Sequence, residues 1–132
     1  MFAEKEPVDT VTTSKDVYRL VRGFGKENRE HFVCVYLNSA GIPIGKPYVA
    51  TIGLANKTLV HPREVFHEAV KRCATSVILA HNHPSGNIIP SEDDRRSTHT
   101  LVDAGKIIGI KVLDHLVFSS KEYYSFQEHQ EI

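Results

Sequence analysis

The sequence predicts a single α/β domain in which helices flank a mixed β-sheet. Stretches with the 3.6-residue period of an amphipathic helix alternate with short runs rich in β-branched and aromatic residues, in the order helix, hairpin, helix, strand, helix, strand. A chain of 132 residues that is 41% hydrophobic is also the right size for one core. We therefore expect one domain over residues 1–132, with loose ends at residues 1–12 and 127–132.

The first half of the chain predicts a helix followed by a hairpin. In TSKDVYRLVRGF, apolar residues at helical spacing follow a capping box formed by Thr13 and Asp16. HFVCVYLN then has the composition of a strand, and after the turn NSAG the segment IPIGKPYVATIG would return as a second strand. Because Pro43 and Pro47 cannot donate ladder hydrogen bonds, we expect this second strand to lie at a sheet edge or to be bulged.

The second half predicts two helices and two buried strands. HPREVFHEAVKRC has Pro62 in its first turn and repeats apolar residues at helical spacing, so it predicts the second helix. SVILAHN and IKVLDHLVF are near-continuous apolar runs, which are typical of strands buried on both faces. Between them, SEDDRRSTHTLVDAG predicts a third helix that ends at Gly105.

Charge and cysteine content exclude several classes of protein. Lysine plus arginine equals aspartate plus glutamate at 16 each, so the chain lacks the positive field that binds phosphate backbones, and direct nucleic-acid binding is not favoured. The start, MFAEKEPVDT, is too polar for a signal peptide, and no apolar run reaches bilayer length. We therefore expect a cytoplasmic protein with no membrane partner. Cys34 and Cys73 have no C-x-x-C spacing, and we expect both to be buried free thiols.

The segment ILAHNHPSGNIIPSEDD carries the candidate chemistry. Side chains alternate across a strand, so His81 and His83 would point to one face about 7 Å apart while Asn82 points away. The pair stands at the carboxyl end of a predicted central strand, where open α/β sheets commonly bind ligands. Two imidazoles can therefore converge on one metal ion.

A Ser-x-x-Asp pattern follows and supplies a third ligand. Ser91 is a favoured N-cap, and Asp94 stands where a capping box places its acid. Alone this pattern predicts only a helix start, just as a buried histidine alone is more often a core residue than a ligand. With both histidines, Asp94 completes three protein ligands, the number in catalytic zinc sites that keep a fourth position for water. One carboxylate leaves a positive centre able to lower the pKa of bound water to about 7.

This spacing resembles a known family signature. His81-x-His83, seven residues, Ser91, two residues and Asp94 resemble the H-x-H-x7-S-x2-D signature of the JAMM (MPN+) zinc metalloproteases. LVHPREVF, ILAHNHPSG, PSEDD and GIKVLDHLVF resemble the bacterial RadC branch of that group, and the likeness covers nearly the whole chain. The resemblance implies a curved mixed sheet between helices, layered as in cytidine deaminases, with Zn²⁺ held by the two histidines and the aspartate.

The resemblance also implies an activity and two catalytic residues. The reaction would be hydrolysis of an amide or isopeptide bond in a protein or peptide substrate. A catalytic glutamate from the start of an early strand fits Glu30, which would take the proton of the attacking water. Ser91 would donate a hydrogen bond to the oxyanion or orient the water. The loop GNIIPS has isoleucines where the family commonly has proline and polar residues, so we expect a more apolar groove wall.

Other acids and histidines near these motifs have structural interpretations. Glu64 is the alternative general base, although an acid in the first turn of a helix is explained by the macrodipole. The same explanation covers Glu92 and Asp93, and His61 is interpreted as a helix cap. Asp114 and His115 are adjacent in a strand and point to opposite faces, so they are interpreted as structural residues that form no direct couple. No partner is predicted for the remaining histidines, His31, His67, His99 and His129.

Two other functions compete with the zinc hydrolase. The first is a non-catalytic RadC-type module that serves DNA repair, recombination or mobile-element biology through a binding partner and keeps zinc only structurally. The helix-hairpin-helix region associated with DNA in that family is expected to be missing from this chain, which weakens this interpretation. The second is a nuclease, but such enzymes usually clamp the leaving oxygen with a second metal or with basic residues. The sequence does not determine the substrate or the oligomeric state.

Overall fold

The computed structural model describes residues 9–53 and 60–132. Within these residues the chain forms three α-helices, one 3₁₀ helix and five strands. The elements in chain order are α1 (Ser14–Val21), the 3₁₀ helix (Arg22–Lys26), β1 (His31–Leu37), β2 (Tyr48–Ile52), α2 (Pro62–Lys71), β3 (Ser76–Asn82), α3 (Glu92–Ile108), β4 (Lys111–Phe118) and β5 (Tyr123–Ser125). The 3₁₀ helix and the three-residue β5 were not predicted, because segments this short carry no periodic signal.

The strands form one mixed sheet in the order β2-β1-β3-β4-β5. β1 is antiparallel to β2 and β3, β5 is antiparallel to β4, and the parallel pair β3 and β4 is joined through α3. The predicted α/β class with a mixed sheet between helices is therefore confirmed. β2 lies at an edge and its pairing with β1 is irregular between Phe32 and Val33, as the two prolines before it predicted.

The sheet separates two apolar cores and thereby orients the candidate ligands. Helices α2 and α3 pack on one face, where Val77 and Leu79 of β3 contribute, and α1 packs on the other face with Ile78 and Ala80. His81 follows Val77 and Leu79 at alternate positions of β3. Strand alternation therefore points its imidazole toward α3, the helix that carries Asp94.

The first turns of the helices are held as predicted. The carboxylate of Asp16 accepts hydrogen bonds from the N–H groups of Thr12 and Thr13 at the start of α1. At α2, the ring Nδ1 of His61 accepts from the N–H of Arg63, and the carboxylate of Glu64 accepts from the N–H of His61 at 2.9 Å. Both His61 and Glu64 thus have structural partners at the start of α2.

The prediction that the third helix ends at Gly105 is wrong. α3 continues to Ile108 and ends at Gly109, which adopts the left-handed conformation with φ 87°. The N–H groups of Gly109 and Ile110 both donate to the carbonyl of Gly105. The chain can fold back this closely because Gly105 has no side chain: a Cβ there would lie 2.4 Å from the carbonyl oxygen of Ile110. Gly105 is therefore a packing residue inside the helix.

Gly105→Ala is expected to lower the free energy of unfolding by about 1–3 kcal/mol or more, because the added methyl group meets backbone that cannot yield without moving the turn. Chemical denaturation against Lys106→Ala, a substitution at the exposed neighbouring position, measures the difference. Equal stability of the two variants would contradict the close approach.

The C-terminal end, which was expected to be loose, makes contacts with the rest of the domain. Residues 127–132 are held on the domain: Glu131 accepts a hydrogen bond from Arg95 Nε at 2.8 Å, and the His129 ring stacks on Tyr124 with centroids 3.9 Å apart. Arg95 lies 36 positions before Glu131, so the local pattern of a polar tail could not predict this contact. At the other end, residues 1–8 lie outside the described residues, and the N–H of Val11 donates to a backbone carbonyl at 2.8 Å.

The two cysteines differ. Cys34 is buried as predicted, and burial raises the pKa of its thiol to about 12. The prediction that Cys73 is buried is wrong, because this residue lies beyond the end of α2 in a left-handed conformation and no longer extends the apolar face of the helix.

Candidate metal centre

Three potential metal ligands converge where β3 ends and α3 begins. Nε2 of His81 lies 3.0 Å from Nε2 of His83 and 3.2 Å from Oδ1 of Asp94, and His83 Nε2 lies 3.3 Å from Asp94 Oδ2. Zinc bonds of about 2.0–2.2 Å in tetrahedral geometry would separate such atoms by roughly 3.3–3.6 Å. The side chains could therefore hold a zinc ion after movements of a few tenths of an ångström. The chemistry of the set, two imidazoles and one carboxylate, also fits zinc.

Local backbone structure explains this convergence. The N–H of His83 donates to the carbonyl of Phe118 at 2.9 Å, which keeps His83 in line beyond β3. The following loop turns at Gly86 and returns to Ser91, the N-cap of α3. Ser91 Oγ accepts from the N–H of Asp94 at 3.0 Å, and Asp94 Oδ2 accepts from the N–H of Ser91 at 2.8 Å. The predicted capping box is thus confirmed, and it orients the Asp94 carboxylate toward the imidazoles.

The three ligands differ in their access to solvent. His81 is 2% exposed, whereas the side chains of His83 and Asp94 are 15% and 18% exposed. The deepest ligand therefore belongs to the core, and the other two open toward the surface. This geometry leaves a solvent-facing side on which a water molecule or a substrate carbonyl could reach an ion.

Electrostatic coupling keeps the carboxylate ionised. Burial alone would raise the pKa of Asp94, but its interactions with the His81 and His83 side chains outweigh this effect and hold the pKa well below its usual range. Burial alone would lower the pKa of His83, but its hydrogen bonds to Asp94 and to the carbonyl of Asn87 raise it. Asp94 is thus charged at any working pH, which is the state needed to bind a cation.

Each histidine has a partner on the ring nitrogen that faces away from the other ligands. Nδ1 of His83 lies 2.6 Å from the carbonyl oxygen of Asn87, and Nδ1 of His81 lies 2.8 Å from Nε2 of His115. Such partners orient a ligating imidazole and fix its tautomer. In both residues Nε2 is the nitrogen that points to the other ligands.

His115, which was interpreted as structural, contacts His81. β4 contains one extra residue relative to β3, because Val77 pairs with Val112 whereas Ile78 pairs with Asp114. Beyond this bulge the alternation is shifted, so His115 pairs with Leu79 on the α3 side of the sheet. Burial lowers the pKa of His115 well below its usual range, and the ring is neutral.

The two side chains of the Asp114–His115 pair point apart, as predicted. The Asp114 carboxylate accepts hydrogen bonds from the Ser125 hydroxyl at 2.6 Å and from the N–H of Gln127 at 2.9 Å. It therefore anchors the C-terminal segment and forms no side-chain couple with His115.

Asn82 has a role that the sequence did not predict beyond its pointing away from the ligands. Its fully buried amide donates to the carbonyl of Arg29 at 2.9 Å and accepts from the N–H of His31 at 2.6 Å. These bonds hold both neighbours of Glu30, whose charge contributes to raising the pKa of His83. The signal for this role was a buried polar residue inside an apolar strand, which requires a partner.

Asn82→Ala is expected to lower the free energy of unfolding by about 1 kcal/mol or more, because it removes the hydrogen bonds of the amide to two part-buried backbone groups. Thermal unfolding of the metal-free protein measures this loss. Zinc affinity should change little, since the substitution leaves both imidazoles in place. Wild-type stability would contradict the proposed anchoring of residues 29–31.

The remaining candidates lie away from the three ligands or have other contacts. Glu92 and Asp93 form surface ion pairs with Arg95 and Arg96, as expected for first-turn acids. Among the histidines without a predicted partner, His31 Nδ1 lies 2.9 Å from the carbonyl oxygen of Arg29. His81, His83 and Asp94 are the one group of three such side chains, within the described ranges, that could hold an ion.

Comparison with known proteins agrees with this geometry. Residues 11–131 match the family model described as RadC-like JAB domain. The chain belongs to this family. It is 46% identical over 120 residues to a UPF0758 protein of Rubrobacter xylanophilus, covering 90% of this chain and 52% of the relative. A UPF0758 protein of Bacillus velezensis is 50% identical over 101 residues, covering 76% and 43%.

The RadC-like JAB domain described here spans about half the length of the curated relatives it matches. A UPF0758 protein of Bacillus cereus is 41% identical over 127 residues, which cover 96% of this chain and 53% of that protein. Among the described residues, none of the helices combines the length and apolar character needed to cross a membrane.

Proposed function

We propose that this RadC-like JAB domain is a zinc-dependent hydrolase that cleaves an amide or isopeptide bond in a protein or peptide. The observation that carries the proposal is the convergence of His81, His83 and Asp94, whose ligand atoms all lie within 4.8 Å of one another. Three protein ligands with one solvent-facing side are the arrangement of catalytic zinc sites. A structural site would be closed by a fourth protein ligand.

The chain's own residues supply the remaining roles. When bound, zinc would provide Lewis-acid activation of a water molecule and of the scissile carbonyl. Glu30, held through its neighbours by Asn82, would accept the proton of the water and pass it to the leaving amine. The cap of α3 uses a lone pair of the Ser91 hydroxyl, so its O–H can still donate to the developing oxyanion.

Charge and surface favour a peptide substrate over DNA. The chain has a formal net charge of zero, which gives no general attraction for a phosphate backbone. Ile89 lies in the loop between His83 and Ser91 and is 58% exposed. It is therefore an apolar side chain that could form the predicted apolar wall of the groove. We also infer that residues 1–132 act as one domain and that it works in the cytoplasm, where Cys34 and Cys73 would stay reduced.

One experiment tests this function against its alternatives. Protein purified in chelator-treated buffer is titrated with Zn²⁺ and assayed on peptides, isopeptide-linked conjugates and plasmid DNA. The expected result is binding of about one zinc per chain, with amide or isopeptide hydrolysis that a chelator removes and added Zn²⁺ restores. Zinc binding without hydrolysis would favour the non-catalytic module, cleavage of DNA alone would favour a nuclease, and failure to bind zinc would overturn the proposal.

A further inference from the structure

A buried chain of hydrogen bonds runs from the deepest ligand back to the helix that carries Asp94. His81 Nδ1 lies 2.8 Å from His115 Nε2, and His115 Nδ1 lies 2.5 Å from the hydroxyl oxygen of Thr98. The Thr98 hydroxyl in turn donates to the backbone carbonyl of Asp94 at 2.6 Å. The His115 ring is held in place by stacking on Phe126, with centroids 5.0 Å apart and planes 11° apart.

The last acceptor in this series of hydrogen bonds, the Asp94 carbonyl, determines which atom carries each proton in the series. A carbonyl oxygen only accepts, so the single hydroxyl proton of Thr98 is directed at Asp94. Thr98 must therefore accept from His115, which places the ring proton of His115 on Nδ1. The neutral ring then has only a lone pair on Nε2, so His81 must donate from its own Nδ1. In the neutral form of His81, Nε2 is therefore left without a proton.

We propose that Thr98 and His115 are positioning residues that set the tautomer of His81, so that its Nε2 lone pair faces the metal site before any metal binds. This inference rests on the proposed function for the identity of the metal. The relay gives a role to the backbone carbonyl of Asp94, which accepts the hydrogen bond from Thr98. The carboxylate of the same residue is one of the three candidate ligands. Asp94 would thus act on the site twice, directly through its side chain and indirectly through its backbone.

The opposite arrangement shows what the relay prevents. If the Thr98 proton pointed at His115, the His115 proton would lie on Nε2 and His81 would accept at Nδ1. A neutral His81 would then carry its proton on Nε2, pointing at His83 and Asp94. A metal could bind only after displacing that proton, or after the Thr98 hydroxyl rotated and both imidazoles changed tautomer, which weakens affinity.

Solution NMR of uniformly ¹⁵N-labelled, metal-free protein tests the proposal, because long-range ¹H–¹⁵N correlations report the tautomer of each histidine. We expect wild-type His81 and His115 to carry their protons on Nδ1. Thr98→Val, which keeps the shape but removes the hydroxyl, should weaken zinc binding about 10- to 100-fold in competition with a chelator. Thr98→Ser keeps the hydroxyl and should bind zinc nearly as tightly as the wild type.

A second variant, His115→Phe, keeps an aromatic ring beside Phe126 but offers no acceptor to His81, and it should weaken zinc binding to a similar degree. Wild-type His81 protonated on Nε2, or Thr98→Val binding zinc as tightly as Thr98→Ser, would overturn the relay. The tautomer measurement needs neither substrate nor metal. A protein that hydrolyses nothing, or binds no zinc, would refute the proposed function while the tautomers still decide the relay.

Discussion

Asp94→Asn is expected to abolish stoichiometric zinc binding and all zinc-dependent hydrolysis while preserving the fold. The substitution removes the only anionic ligand of the three, whose oxygens lie 3.2 and 3.3 Å from the two imidazole nitrogens. Loss of a residue that hydrogen-bonds to a metal ligand can lower metal affinity by roughly 100-fold. Because Asp94 is itself a ligand, we expect zinc affinity to fall by more than this. The asparagine oxygen can still accept from the N–H of Ser91, so the start of α3 is preserved.

The matched control is Glu92→Gln, which removes an acid from the same helical turn. The Glu92 side chain is 79% exposed and its carboxylate pairs with Arg95. Both variants lose one charge that interacts favourably with the helix dipole, worth about 0.3–1 kcal/mol. Asp94→Asn also loses the interactions of the charge with His81 and His83, so its stability should fall further than that of Glu92→Gln in the metal-free proteins. Zinc content by mass spectrometry and chelator competition then separates them. Equal zinc binding by the two variants would rule out Asp94 as a ligand.

Glu30→Gln is expected to reduce the rate of hydrolysis by about 10²- to 10⁴-fold with zinc affinity unchanged, because glutamine is nearly isosteric but cannot accept the proton of water. The backbone should not move, since its hydrogen bonds do not depend on the carboxylate: the Glu30 carbonyl accepts from Gly53 at 2.8 Å, and Asn82 holds both neighbouring residues. Steady-state kinetics of the zinc-loaded protein measures the loss.

Glu64→Gln is the control for the competing assignment of the general base. The Glu64 carboxylate accepts from the N–H of His61 at the start of α2, so its removal should affect stability slightly and leave the reaction rate near that of the wild type. An active Glu30→Gln protein together with an inactive Glu64→Gln protein would show that the base is Glu64.

Local patterns predicted most of the fold for identifiable reasons. Strand β3 was predicted with its observed bounds, because a continuous apolar run between turn signals has few alternatives. Capping boxes located the starts of α1 and α3, and Pro62 located the start of α2, since these signals are formed by residues within four positions. The end of α3 was misplaced because Gly105 and Gly109 are both possible stops, and only the packing of the turn on Gly105 distinguishes them.

For the candidate site, the sequence predicted the three ligands. The spacing of His81, His83 and Asp94 implied that they meet, because a strand end and the first turn of the next helix restrict where three such residues can lie. The side chains that contact these ligands could not be predicted in this way. His115 was assigned to the structure because adjacent strand residues alternate, and no sequence signal reports the bulge that turns it toward His81.

The sequence by itself determined the class of fold, the helix starts and the three candidate ligands, because each depends on the order of residues within a short segment. Only the tertiary structure decided what stands behind those ligands. His115 contacts His81 across 34 positions and Asn82 reaches the residues beside Glu30 across more than 50, so the contacts exist only once strands from distant parts of the chain lie side by side. Their geometry depends on strand register and on one bulge, and a shift of a single residue would turn His115 to the other face of the sheet.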